Sequence, residues 1–114
     1  MKRILILTML VSALFLVSCN KETVDPSLDE FATCLTTAGA EMYGLYNCGH
    51  CKDQKEMFGS SFNKINYIEC SVDQKKCAER NIKGVPIWFF ADDSSLSGVQ
   101  SFVNLAKKTG CPLP

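Results

Sequence analysis

The sequence predicts an α/β fold, a compact mixed sheet of about four strands flanked by helices. Three observations carry this. Segments with helical and strand periodicity alternate along most of the chain. A β-rich hairpin pattern and one more helix close it. A Cys-x-x-Cys falls where a strand pattern gives way to a helical one. The 114 residues suffice for one small domain.

The first helix is expected over 28–38. Ser27 and Glu30 have capping-box spacing, and Phe31, Cys34, Leu35 and Ala38 recur on one helical face. Gly39 is the stop. Residues 41–46 read as a strand whose lack of strict alternation implies burial on both faces. The second helix is expected from Cys48 to Asn63, with Met57, Phe58, Phe62 and Ile65 as its apolar stripe. A strand over 65–70 and a short polar helix over 73–80, capped by Asp73, follow. Gly84-Val85-Pro86 leads into a strand over 87–90 that is rich in β-formers. A turn over 92–95, a strand over 96–99 and a last helix complete the order α-β-α-β-α-β-β-α. Ser101 caps that helix, which ends near Lys108 with Gly110 beyond it.

Hydrophobic residues make up 46% and charged residues 21%, which excludes a disordered chain. Twelve basic residues balance twelve acidic ones, so no basic surplus exists to hold nucleic acid. Seven cysteines in so small a chain point to an oxidising compartment, a metal site or redox chemistry. At the N-terminus, Lys2 and Arg3 precede an uncharged apolar run over 4–18. That is the charged and apolar pattern of a secretory signal, and it falls short of the ~20 residues of a membrane span. The run ends in Leu16-Val17-Ser18-Cys19, which resembles a bacterial lipobox. The expected organisation is a signal peptide over 1–18, a lipidated tether over 19–27 beginning at Cys19, and a domain over 28–114. The protein is thus expected outside the cytoplasm, periplasmic or at the cell surface, as a monomer held to a membrane by its lipid. Processing would leave 10 basic against 12 acidic side chains and six cysteines besides Cys19, an even number that fits three pairs.

Cys48-Gly49-His50-Cys51 is the motif that carries chemistry. A cysteine at a helix start meets unpaired backbone N–H groups and the positive end of the helix dipole, so its thiol ionises more easily. The second cysteine, one turn on, closes a short disulfide. Cys48 is therefore the expected nucleophile and Cys51 the resolving thiol. His50 is expected to favour the Cys48 thiolate, making the disulfide a better oxidant. The same four residues occur in protein disulfide isomerases, whose potential is about −180 mV. The alternative is a metal-binding lipoprotein for copper or zinc, with Cys70 and Cys77 completing a zinc set. One histidine and four methionines make a poor copper set. The redox reading needs no metal and no cofactor beyond the disulfide itself.

Residues 43–58 and 65–70, then Gly84-Val85-Pro86-Ile87-Trp88, residues 97–101 and Leu105-Ala106-Lys107, resemble the thioredoxin-like domain fused to bacterial and plant homologues of vitamin K epoxide reductase. The resemblance implies a thioredoxin fold. It implies a cis peptide bond at Val85-Pro86, facing the cysteines and offering backbone to the substrate. It implies structural disulfides Cys70–Cys77 and Cys34–Cys111, out of the 15 connectivities that six cysteines allow; Cys70–Cys77 as a second redox pair stays open. It also implies a quinone-coupled membrane partner, similar to vitamin K epoxide reductase, that supplies oxidising equivalents for exported protein thiols. Three departures stand out. The transmembrane reductase domain is missing from the match. Asn47 replaces an aromatic residue before the first cysteine. Met42 stands where thioredoxins and disulfide isomerases keep a buried acid, and Glu41, one residue off, points to the opposite strand face.

Overall fold

The computed structural model describes residues 26–114. The expected signal peptide, Cys19 and the tether up to residue 25 lie outside the described residues. Among the described residues no helix is long and apolar enough to cross a membrane.

Helix α1 spans Pro26–Thr37. It starts earlier than the capping-box spacing suggested, with proline at its first position, where the missing N–H is no loss and φ is preset. Ser27 thus sits inside the first turn. Strand β1 (Glu41–Gly44) is buried from Met42 onward, on both faces as expected. Helix α2 covers Gly49–Phe58 and passes into a 3-10 turn over Gly59–Lys64. One continuous helix to Asn63 is therefore corrected. Gly59 takes φ +53°, and its N–H closes back on the carbonyls of Glu56 and Lys55.

Strand β2 (Tyr67–Glu69), helix α3 (Gln74–Glu79), strand β3 (Ile87–Phe89), strand β4 (Ser95–Ser97) and helix α4 (Phe102–Thr109) complete the order. Strand β4 comes one residue early because the hairpin turn is tight. The Asp93 N–H bonds the Phe90 carbonyl, and the Phe90 N–H bonds that of Ser94. Gly98 at φ +84° then ends the strand.

The sheet is mixed, in the order β2-β1-β3-β4. β1 and β2 run parallel, while β3 is antiparallel to both β1 and β4. Alternation along the strands sends Met42 and Trp88 to one face, where Phe31, Leu35, Phe58 and Leu105 from α1, α2 and α4 form the main core. Tyr43 packs on the other face with Ile68 and Cys77, under α3. Phe58 is the hub of the main core, its ring centroid 5.0 Å from Phe102 and 6.2 Å from Trp88. Met57 is no part of the stripe; it is 37% exposed, and the buried line of α2 is Cys51, Gln54 and Phe58. The result is an α/β domain with a four-stranded mixed sheet flanked by helices, the arrangement expected of a thioredoxin-like chain.

Candidate active site

The strand directions decide what gathers at one end of the sheet. Chain leaving β1 reaches Cys48, chain leaving β2 reaches Cys70, and chain leaving β4 reaches Gln100, all at the end where Val85-Pro86 enters β3. The open ends of parallel strands are where α/β proteins commonly place ligands.

Cys48 is the N-cap of α2, in extended conformation, and its Sγ accepts the backbone N–H of Cys51 at 3.1 Å. The cap position puts its sulfur against the unpaired donors of the first turn, which favours an anion there. Cys51, one turn on, is fully buried while Cys48 is half-exposed. The two are joined as a disulfide, with Cα atoms 5.2 Å apart. Across the site the Val85-Pro86 peptide is cis, and the Val85 carbonyl oxygen lies 3.8 Å from Cys48 Sγ. A cleft of about 300 Å³ opens beside it, lined by Leu45, Cys70, Ile82, Gly84 and Val85 among others. A larger groove along α1, about 500 Å³, shares no lining residue with this site.

His50 is exposed, and its Nδ1 faces the Asp53 carboxylate at 3.3 Å. An acid three residues on lies on the same helix face, so the ring's hydrogen bond goes to Asp53 instead of the Cys48 sulfur. Cys70 and Cys77 are bonded to each other, Cα atoms 5.7 Å apart, and join the end of β2 to α3. That pairing takes both thiols out of any four-cysteine cluster with Cys48 and Cys51. Cys34 and Cys111 form the third bond, between α1 and the segment after α4. Glu41 sits on the face away from Cys51, held by the Tyr43 hydroxyl, Lys76 and Arg80.

One named likeness concerns thiol–disulfide chemistry. The chain resembles a thiol-disulfide oxidoreductase. It is 42% identical over 88 residues to thiol-disulfide oxidoreductase LTO1 of Arabidopsis thaliana, an alignment covering 69% of this chain and 23% of that protein. The chain thus spans about a quarter of the length of that protein. No protein-family model matches the chain.

Two features of the site escaped the sequence. Gln54 is completely buried behind the cysteines. Its Oε1 accepts from the Trp88 indole N–H at 3.1 Å and the Gln100 backbone N–H at 2.7 Å, and its Nε2 donates to the Gln100 carbonyl at 3.2 Å. The available signal was its spacing from Cys51 and Phe58 on one helix face. Tyr67 was read only as a strand residue, yet its ring packs against Gly44 beneath Cys51. Gly44 carried no periodic signal, because what matters there is the side chain it lacks.

Proposed function

We propose that this chain is an extracytoplasmic thiol–disulfide oxidoreductase that oxidises exported protein thiols through Cys48 and Cys51. One observation carries the reading: a half-exposed Cys48 at a helix start, bonded to a buried Cys51 and facing the Val85 backbone. A partner thiolate attacks Cys48 Sγ, the Cys48–Cys51 bond breaks, and Cys51 leaves as thiolate. A second partner thiolate then attacks the partner sulfur of the mixed disulfide and releases Cys48 as thiolate. The partner gains a disulfide and the protein holds two thiols. The helix end and the Cys51 N–H favour the Cys48 thiolate, so the departure of Cys48 is easy. Val85 and Pro86 present backbone to the partner chain, and His50 adds positive charge near Cys48 when protonated. The likeness to a protein named for this activity supports the reading.

Within the same proposal, Cys19 carries lipid after signal removal and holds the domain at a membrane. A quinone-linked membrane protein similar to vitamin K epoxide reductase returns the pair to the disulfide. Cys70–Cys77 and Cys34–Cys111 are structural.

Equilibration with glutathione buffers tests the core of this. The Cys48–Cys51 pair should titrate as a two-electron couple above the roughly −270 mV of thioredoxin. Cys51→Ser should accumulate mixed disulfides through Cys48, and Cys48→Ser should form none. A pair that never equilibrates with glutathione, or trapping that runs through Cys51, would overturn the assignment. Fatty-acid label retained by a Cys19→Ser form would exclude the anchor.

A further inference from the structure

A buried resolving cysteine needs somewhere to send its proton, because a thiolate in an apolar core is costly. Met42, on the face of β1 nearest Cys51, offers no such group. The neighbouring strand does. β1 and β2 are in parallel register, Met42 beside Tyr67 and Gly44 beside Glu69. Tyr67 and Glu69 are two apart, so both lie on the Cys51 face of the sheet. A methyl carbon on Gly44 would lie 3.0 Å from the Tyr67 hydroxyl oxygen and 3.1 Å from Cys51 Sγ. Phenol and sulfur therefore border the same small space, left open by the missing side chain. The Tyr67 hydroxyl already donates to Glu69 Oε2, at 3.4 Å. Lys55, one helical turn after Cys51, places its ammonium 4.0 Å from the centre of the Tyr67 ring.

We propose that Tyr67 and Glu69 form the proton relay for Cys51. The inference rests on the redox reading above and adds the step that reading leaves open. In the mixed disulfide, the Cys51 S–H proton passes to the Tyr67 oxygen as the Tyr67 O–H proton passes to a Glu69 carboxylate oxygen. The Cys51 thiolate attacks Cys48 Sγ, the bond between Cys48 and the partner breaks, and the partner leaves as thiolate with the electron pair. Glu69 then releases its proton to solvent. The cysteine pair is oxidised, the partner disulfide is reduced, and no other oxidant is consumed. The groups facing the phenol are Cys51 and Lys55 from α2 and Glu69 from β2. Burial and the Glu69 carboxylate push the Tyr67 phenol up to about 12, so it works as a neutral relay and not as a phenolate base.

The two chemical events separate in time. The full chain, with its Cys48–Cys51 bond opened by one equivalent of a dithiol, is mixed with a symmetric aromatic disulfide that releases a coloured thiol. The first release reports attack by Cys48 and the second reports resolution by Cys51, with Cys48→Ser giving the background from other thiols. Tyr67→Phe and Glu69→Gln should leave the first phase unchanged and slow the second by about tenfold or more at pH 6, within the range of general acid–base effects. The deficit should shrink towards about pH 9, where a thiol of ordinary acidity ionises unaided. Glu69→Gln keeps size and an acceptor for the phenol, so it tests the relay even where Tyr67→Phe disturbs packing. A second phase in Glu69→Gln that matches the parent at every pH would overturn the relay and leave the redox reading standing. A parent chain with no first phase above background would sink both.

Discussion

Gln54 shows how one side chain couples the cysteine helix to the rest of the site. Its amide binds β3 through Trp88 and the segment after β4 through Gln100 by direct hydrogen bonds. Gln54→Leu would keep the volume and strand the Trp88 and Gln100 N–H groups, each costing about 1–3 kcal/mol. We expect a loss of about 2–6 kcal/mol in urea unfolding, far above a surface change on α2. Gly44 has the opposite constraint. Gly44→Ala would push a methyl to 3.0 Å from the Tyr67 ring and 3.1 Å from Cys51 Sγ. An overpacking cost of about 1–3 kcal/mol is expected in the same assay, and a neutral Gly44→Ala would mean that the Tyr67 ring moves freely.

At the scale of elements, the two helix starts differ in what they are for. Ser101 caps α4 by accepting the Asn104 N–H at 3.1 Å, and α4 ends on Gly110 in left-handed conformation. Ser101→Ala should cost roughly 1 kcal/mol of stability and leave the thiol chemistry untouched. At α2 the cap is Cys48 itself, so the feature that starts the helix is also the proposed nucleophile. Helices α1 and α4 are further tied through Cys34–Cys111, which closes a long loop of sequence separation 77. Replacing both by serine should lower stability by about 2–5 kcal/mol, read as an earlier midpoint in thermal unfolding with the Cys48–Cys51 couple retained. Loss of that couple along with the bond would mean that the bond is more than a tie.

At the scale of the molecule, Glu41 and Tyr67 are two of the groups that tie stability to pH. Partial burial opposes ionisation of Glu41, but the Tyr43 hydroxyl, Lys76 and Arg80 outweigh it and hold the carboxyl below its ordinary 4.5. A depressed folded value means the folded state releases the proton more readily than the unfolded chain. Its stabilisation is therefore present above about 4.5 and lost as pH falls through the lowered value. A Glu41→Gln chain should show a flatter acid limb in a series of urea midpoints. Tyr67 works in the other direction. Burial first, then Glu69, raises its phenol to about 12, so its contribution is complete below the ordinary value near 10 and fades as pH rises towards 12. Tyr67→Phe should flatten that alkaline limb.

Periodicity and chemistry that act within a few residues determined much of this protein. The order of helices and strands, the burial of β1 on both faces, the Asp73 and Ser101 caps and the cysteine pair at a helix start are all local. Each depends on spacing along the chain, and spacing is what a sequence displays. Element ends were less legible. The stop at Gly59 depends on a positive φ, and the early start of β4 on a tight turn at Asp93. The tertiary structure alone decided the rest. It made Gln54 a buried link from α2 to Trp88 and Gln100. It also set Tyr67 and Glu69 beneath Cys51. The physical reason is common to all of these. Their roles depend on which strand lies next to which, and the 2-1-3-4 strand order brings together residues whose separation in sequence carries no period to read.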